Sequence, residues 1–233
     1  MGLSAIDYAI NGPIKPKLLV VTDIDQARLD RAATIHTEEK AKANGIELHY
    51  VNTGNVENPV ELLLSYTEGK GYDDVFCMAP VKPVVEQSDA ILGRDGCLNF
   101  FAGPTKTEFS AMFNFYNVHY NSTHVVGTSG GNTADMLESL KLMGEGKLNP
   151  AAMITHIGGM NAVIDTVINL DKIPGGKKLI YTNIDFPLTA LADLEEAGKN
   201  CPICAELDKI VKANNGLWNG EAEKYLLANA KSI

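Results

Sequence analysis

Residues 17–33 read KLLVVTDIDQARLDRAA. The stretch opens as a short apolar run and turns polar at Thr22 and Asp23, just after the break at Gly12 and Pro13. That pattern predicts a buried strand. From Gln26 the spacing changes: Leu29, Ala32, Ala33 and Ile35 recur on a helical period that runs to about residue 44, where Gly45 is a stop signal.

The alternation repeats downstream. Residues 46–51 (IELHYV) predict a second strand, and Asn58-Pro59 opens a helix to about residue 69. Proline suits that position because the first helical N–H groups have no intrahelical acceptor. Residues 73–78 (DDVFCM) predict a third strand, 84–92 a helix stopped by Gly93, and 96–102 (GCLNFFA) a fourth strand leaving through Gly103-Pro104. A helix around 109–117, a fifth strand near 124–127 and a helix over 133–143 capped by Asn132 or Thr133 complete the series. Strands alternating with helices over 17–143 predict an α/β fold of the doubly wound class, a parallel sheet with helices on both faces. After Pro150 the texture changes. MITHIGGMNAVIDTVINL (153–170) reads as a strand running into a helix, GGKKLIYTNI (175–184) as another strand, and 189–233 as three short amphipathic helices separated near Asn200 and residues 214–216. A boundary is therefore expected near 148–152, dividing the chain into domains 1–150 and 151–233.

The net charge of −9 argues against a polyanion partner such as nucleic acid, which is gripped by an excess of Lys and Arg. No apolar run approaches the roughly 20 residues of a membrane helix, and Met1 leads into GLSAIDYAINGP without a basic region or long apolar core. A cytoplasmic protein with reduced thiols is the expectation. Cys77 and Cys97 fall in apolar runs and read as core thiols. Cys201 and Cys204 form a single CxxC. Structural zinc needs four ligands, usually from two such pairs, so this one reads as a chance pair on a helical turn. His49 and His124 fall within expected strands and read as structural.

Three places carry chemistry. An acidic residue at the tip of a strand in a dinucleotide-binding fold accepts hydrogen bonds from the adenosine ribose hydroxyls and repels a 2′-phosphate, favouring NAD over NADP. Asp23 stands at such a place, followed by Asp25, and Arg28 is near enough in sequence to lie against an adenine or pair with Asp23. Equally, Asp23 and Asp25 can simply cap the following helix. Residues 1–13 predict an amphipathic helix with Leu3, Ile6, Ala9 and Ile10 on one face and Gly2 at its N-terminus, where a phosphate-binding turn would end. The glycine pair in GTSGGNTADM (127–136) suits either close backbone approach to a ligand or a tight turn.

Together these segments resemble the medium-chain, zinc-type alcohol and polyol dehydrogenases. GLSAIDYAI and KLLVVTDIDQARLDRA resemble the family's helix–strand–helix, above all in sorbitol dehydrogenase-like members. GYDDVFCMAP, DGCLNFFAGP and VVGTSGGNTADMLESLKLM follow in the order of its fourth, fifth and sixth strands. MITHIGGMNAVIDTV resembles the segment that crosses back to the catalytic domain, and GGKKLIYT a late strand of that domain. The resemblance covers about residues 1–183, and the longer tail is similar to the sorbose-1-phosphate reductase branch. It implies a Rossmann-type sheet lacking its first strand, plus the C-terminal part of a catalytic domain. It also implies roles. Asp23 would hold the ribose with Arg28 beside the adenine, and Gly2 would be the third glycine of the phosphate turn. Met78, Ala79 and Pro80 would line the cofactor cleft, although Pro80 departs from the family's small residue. Ala102, Gly103, Ser129 and Gly130 would sit near the nicotinamide, and Lys177 near the pyrophosphate.

The family's zinc ligands precede its nucleotide domain, so zinc is expected only outside this chain, which reads as N-terminally truncated. The strands at 17–23 and 73–78 would then flank a gap, and the chain would close it by rearrangement, pair with a separate N-terminal polypeptide or aggregate. The implied function is the cofactor-binding portion of an NAD-dependent dehydrogenase for an alcohol, polyol or sugar phosphate, homo-oligomeric when complete. The alternatives are a non-catalytic remnant and a different Rossmann-like enzyme such as a methyltransferase.

Overall fold

The computed structural model describes residues 1–233. The chain forms two compact units, residues 1–2 with 9–145 and residues 3–8 with 146–233. Helix α1 (Gly2–Asn11) contributes to both, with Ile6 and Ile10 buried as its apolar face predicts.

In the first unit, β1 (Leu18–Asp23) leads to α2 (Gln26–Ile35). The single helix expected over 26–44 is in fact two. His36 ends α2, and the Thr37 hydroxyl accepts from the Lys40 N–H to start α3 (Glu38–Ala43). A side-chain cap in mid-run was stronger than the apolar period. Next come β2 (Glu47–Asn52) and α4 (Pro59–Ser65), the latter capped by Asn58 with proline in its first turn. β3 (Tyr72–Cys77), α5 (Lys82–Ala90) and β4 (Leu92–Phe100) follow. Gly93 is therefore not a helix stop but lies within a strand that begins four residues before the expected start. Its backbone packs against Gly71, where φ is +82° and an added Cβ would come within 2.6 Å of the Gly93 Cα. Only a pair of glycines lets β3 and β4 approach so closely.

The helix expected around 109–117 forms later, as α6 (Phe115–Tyr120). Residues before it are kept outside a helix by two carboxylates of α5. The Met112 N–H donates to Glu86 and the Asn114 N–H to the buried Asp89, at 3.0 and 2.9 Å. β5 (His124–Gly127) and α7 (Thr133–Gly144) close the unit. Asn132 is the α7 cap. Its Oδ1 accepts from the Ala134 and Asp135 N–H groups, and the Asp135 carboxylate accepts from the Asn132 N–H at 2.7 Å. Along α7 only Leu142 is buried, so packing contributes little and the cap carries much of the helix. Asn132→Ala is expected to lower the local stability of α7 by about 1 kcal/mol, read as faster hydrogen exchange of its amides. Unchanged exchange would count against the capping box.

All strand pairing in this unit is parallel, in two sheets: β1 with β2, and β3-β4-β5. β1 and β3 do not pair with each other, so the gap expected between them is not closed by rearrangement. Val20 of β1 and Val75 of β3 instead pack on one shared cluster formed by Val51, Leu63 and Ile91.

The second unit is built on β6 (Ile154–Gly159), followed through a 3-10 turn by α8 (Val163–Ile168). β7 (Lys177–Tyr181) pairs parallel with β6, and after β8 (Ile184–Asp185) the short β9 (Thr189–Ala190) pairs antiparallel on the other side. The three expected helices are α9 (Leu194–Ala197), α10 (Pro202–Ala213) and α11 (Gly220–Asn229). A last strand, β10 (Lys231–Ser232), returns antiparallel to β8. The core joins Ile157, Ile184 and Phe186 to Leu194, Leu207, Trp218 and Leu226. The Trp218 indole N–H donates to the Tyr181 hydroxyl at 2.9 Å, which donates to Glu223 at 2.6 Å. Residues of α1 belong here too: the buried Asp7 accepts from the Asn149 N–H at 2.8 Å, and the Ser4 hydroxyl meets the Met153 sulfur. No helix is long and apolar enough to cross a membrane.

Candidate functional site

Asp23 is the last residue of β1, where the parallel strand gives way to the turn before α2. The two acidic residues left ambiguous by sequence have different jobs. Asp25 is the helix cap, its Oδ1 accepting from the Ala27 and Arg28 N–H groups at 2.9 and 3.4 Å. Asp23 does not cap the helix. Its Oδ1 accepts from the Asp25 N–H at 3.0 Å, which fixes the carboxylate's direction, while Oδ2 faces the Arg28 guanidinium at 3.8 Å, longer than a hydrogen bond. Arg28 also approaches Asp25 at 3.6 Å and is largely exposed. The result is a held carboxylate with one oxygen outside any hydrogen bond, beside an exposed planar cation.

Asn52, which the sequence did not single out, pairs in register with Asp23 at the end of β2. Its side-chain amide donates to Gln26 at 3.0 Å, and its Oδ1 accepts from the Gly54 N–H. The only sequence signal for it is the polar ending of an apolar run, the same signal that marks Asp23.

A second group gathers at the carboxyl end of the other sheet. Cys77, Phe100 and Gly127 are in register across β3, β4 and β5, so the segments that follow leave from one side. Met78 and Ala79 are half-buried just after β3. Ala102 is buried, and its N–H together with that of Phe101 donates to the Cys77 carbonyl, tying the exit of β4 to the end of β3. Gly103, Ser129 and Gly130 are exposed. A Cβ added at Gly103 or Gly130 would touch nothing within 4 Å, and Gly130 has φ +79°. Pro80 is exposed. No hydrogen bond or ion pair links Asp23 or Arg28 to this group. Gly2 opens α1 with open space around it, and Lys177 is the exposed first residue of β7 in the second unit.

The histidines vary. His124 lies in β5 but its side chain is exposed and pairs with Asp95 at 2.9 Å; His49 pairs with Glu47 at 2.7 Å. His156 on β6 is nearly buried, with Nδ1 2.9 Å from the Thr155 hydroxyl. Burial first, then the nearby Lys178 charge, hold it below the usual histidine range, so it is neutral at neutral pH. No three His, Cys, Asp or Glu side chains are placed together to hold a metal, so the donors present do not fit a zinc centre.

The family described as zinc-binding dehydrogenase matches residues 2–145. Over 227 residues the chain is 58% identical to a mannitol-1-phosphate 5-dehydrogenase of Aliivibrio fischeri, covering 97% of this chain and 54% of that protein. It is 44% identical to an L-sorbose 1-phosphate reductase of Klebsiella pneumoniae, covering all of this chain and 53% of the relative. The chain thus spans about half the length of these relatives. Among solved structures, an alcohol dehydrogenase zinc-binding domain protein from Burkholderia ambifaria superposes with a TM-score of 0.60 at 18% identity, over 79% of this chain and 45% of that one. That likeness gives the fold: the parallel α/β architecture is that of the nucleotide-binding domain of zinc-dependent alcohol dehydrogenases. With the family match extending over residues 2–145, the chain belongs to the zinc-binding dehydrogenases.

Proposed function

We propose that this chain is the cofactor-binding portion of an NAD-dependent dehydrogenase acting on a polyol or sugar 1-phosphate. The observation that carries the nucleotide reading is the Asp23 carboxylate at the carboxyl end of β1, oriented by the Asp25 N–H and released from helix capping by Asp25 itself. Two vicinal ribose hydroxyls are donors that such a carboxylate accepts, and a 2′-phosphate in their place would meet a like charge. Arg28 would lie beside the adenine. Met78 and Ala79 line the cleft, the open backbone at Gly103 and Gly130 admits a ligand closely, and Ala102 and Ser129 complete the nicotinamide end. Gly2, at the N-terminus of α1, would serve the pyrophosphate. The nicotinamide supplies the hydride chemistry when bound, and this chain's residues hold and orient it. The substrate class rests on the names of the two relatives, each a 1-phosphate of a polyol or sugar. A homo-oligomeric assembly and a cytoplasmic location complete the proposal.

Titration calorimetry with NADH and NADPH tests it. The chain is expected to bind NADH more tightly than NADPH, and Asp23→Ala to lose about 1–3 kcal/mol of NADH binding, the scale of a hydrogen bond to a charged group. An Asp23→Ala chain that binds NADH as well as the unchanged one, or no NADH binding at all, overturns the assignment.

A further inference from the structure

The Cys201–Cys204 pair plays no part in the nucleotide site. Cys201 is the N-cap of α10, and its Sγ accepts from the Cys204 N–H at 3.2 Å. Pro202 fixes the first helical residue, and the turn brings the two sulfurs to 2.6 Å as free thiols. A disulfide bond is about 2.05 Å long, so closure asks the sulfurs to move by about 0.6 Å and the backbone hardly at all.

The two thiols are unlike. Cys201 is half-buried and reachable from solvent, whereas Cys204 is buried in the core cluster with Leu207, Val211 and Trp218. Burial, followed by the hydrogen bond to Cys201, pushes the Cys204 thiol up to about 12. Cys201 stands at the N-terminus of a 12-residue helix, with its Sγ against the Cys204 N–H. One sulfur is thus open to attack from outside, and the other waits behind it.

We propose that Cys201 and Cys204 form a thiol–disulfide exchange site for small disulfides. Cys201, as thiolate, attacks one sulfur of a low-molecular-weight disulfide. That S–S bond breaks, one small thiolate leaves and takes up the proton that Cys201 released, and Cys201 carries the other half as a mixed disulfide. Cys204 then attacks the Cys201 Sγ, giving its proton to the departing thiolate. The mixed bond breaks and the second small thiol is released. Two protein thiols are oxidised by two electrons, one external disulfide is reduced to two thiols, and both protein S–H protons end on the products.

Glutathione buffers of graded oxidised-to-reduced ratio are the probe, applied to the full chain, with acid quenching, alkylation and peptide mass spectrometry. The expected result is that two of the four thiols lose alkylation together, as a linked 201–204 peptide, and regain it on reduction. Cys201→Ser abolishes the protection. Cys204→Ser, or Cys204→Ala if the buried hydroxyl prevents folding, stops at one glutathione on Cys201. Alkylation of all four thiols across the whole range overturns the proposal. So does protection that maps to Cys77 or Cys97, or a Cys204 variant that takes up no glutathione.

Discussion

Gly159→Ala is expected to lower the stability of the second unit by about 3 kcal/mol or more, measured as a shift in the urea midpoint. Gly159 ends β6, and its N–H donates to the Phe186 carbonyl at 2.8 Å. The Phe186 N–H in turn donates to the Asn161 side chain at 2.9 Å. A Cβ on Gly159 would run into the Ile184 carbonyl oxygen and the Phe186 nitrogen, with Asn161 Oδ1 also close. The first two are backbone atoms, so no side chain can swing aside. Relief requires moving a segment whose Ile184 and Phe186 are both buried in the core, and breaking the two hydrogen bonds that pin it. Gly158→Ala is the control. Its new Cβ meets the tip of Ile180 at 3.1 Å, a side-chain end that can yield. A Gly159→Ala midpoint within about 1 kcal/mol of the parent would mean that the 184–186 segment does not lie against β6 as described.

Trp218→Ala is expected to cost about 3–5 kcal/mol, the range for removing a buried aromatic. Trp218 is 3% exposed at the centre of the cluster that joins β6 to α10 and α11. Its indole N–H and the Tyr181 and Glu223 side chains form one chain of hydrogen bonds. Burial, then the Glu223 hydrogen bond, hold the Tyr181 phenol above its ordinary range, so it remains a donor. The substitution removes both the ring's volume and the first link of that chain. Should the variant show no folding transition, Tyr181→Phe isolates the polar part. It leaves the buried indole N–H without an acceptor, at about 1–3 kcal/mol. A loss under about 1 kcal/mol for Trp218→Ala would contradict the placement of the ring in the core.

The parallel α/β class was readable because β1, β2 and β5 are apolar runs ended by Asp23, Asn52 and Gly127, a local signal. What was not readable depended on distant partners. The helix at 109–117 fails because Glu86 and Asp89, more than 20 residues away, take the N–H groups of Met112 and Asn114. Gly93 resembled a stop signal until its contact with Gly71 was known. The long helix over 26–44 broke at a threonine whose capping role matches its type but was masked by the surrounding alanines and charges. At the candidate site the sequence left open whether Asp23 holds a ribose or joins Asp25 in capping the helix. Only the hydrogen bonds assign capping to Asp25 and leave the Asp23 Oδ2 facing Arg28 rather than a backbone N–H. Asn52 went unnoticed because its significance lies in register, Asp23 opposite Asn52, which a single chain does not spell out.

The contacts of α1 set a schedule for synthesis. Asp7 finds its partner 142 residues later in the chain, at Asn149. At ribosomal rates of about 5–20 residues per second, the helix waits about 7–30 s before that partner exists. For that interval Asp7, buried in the finished fold, lacks the N–H that Asn149 later donates to it. Codon choice between residues 8 and 149 would lengthen or shorten the wait without altering a single contact of the finished protein.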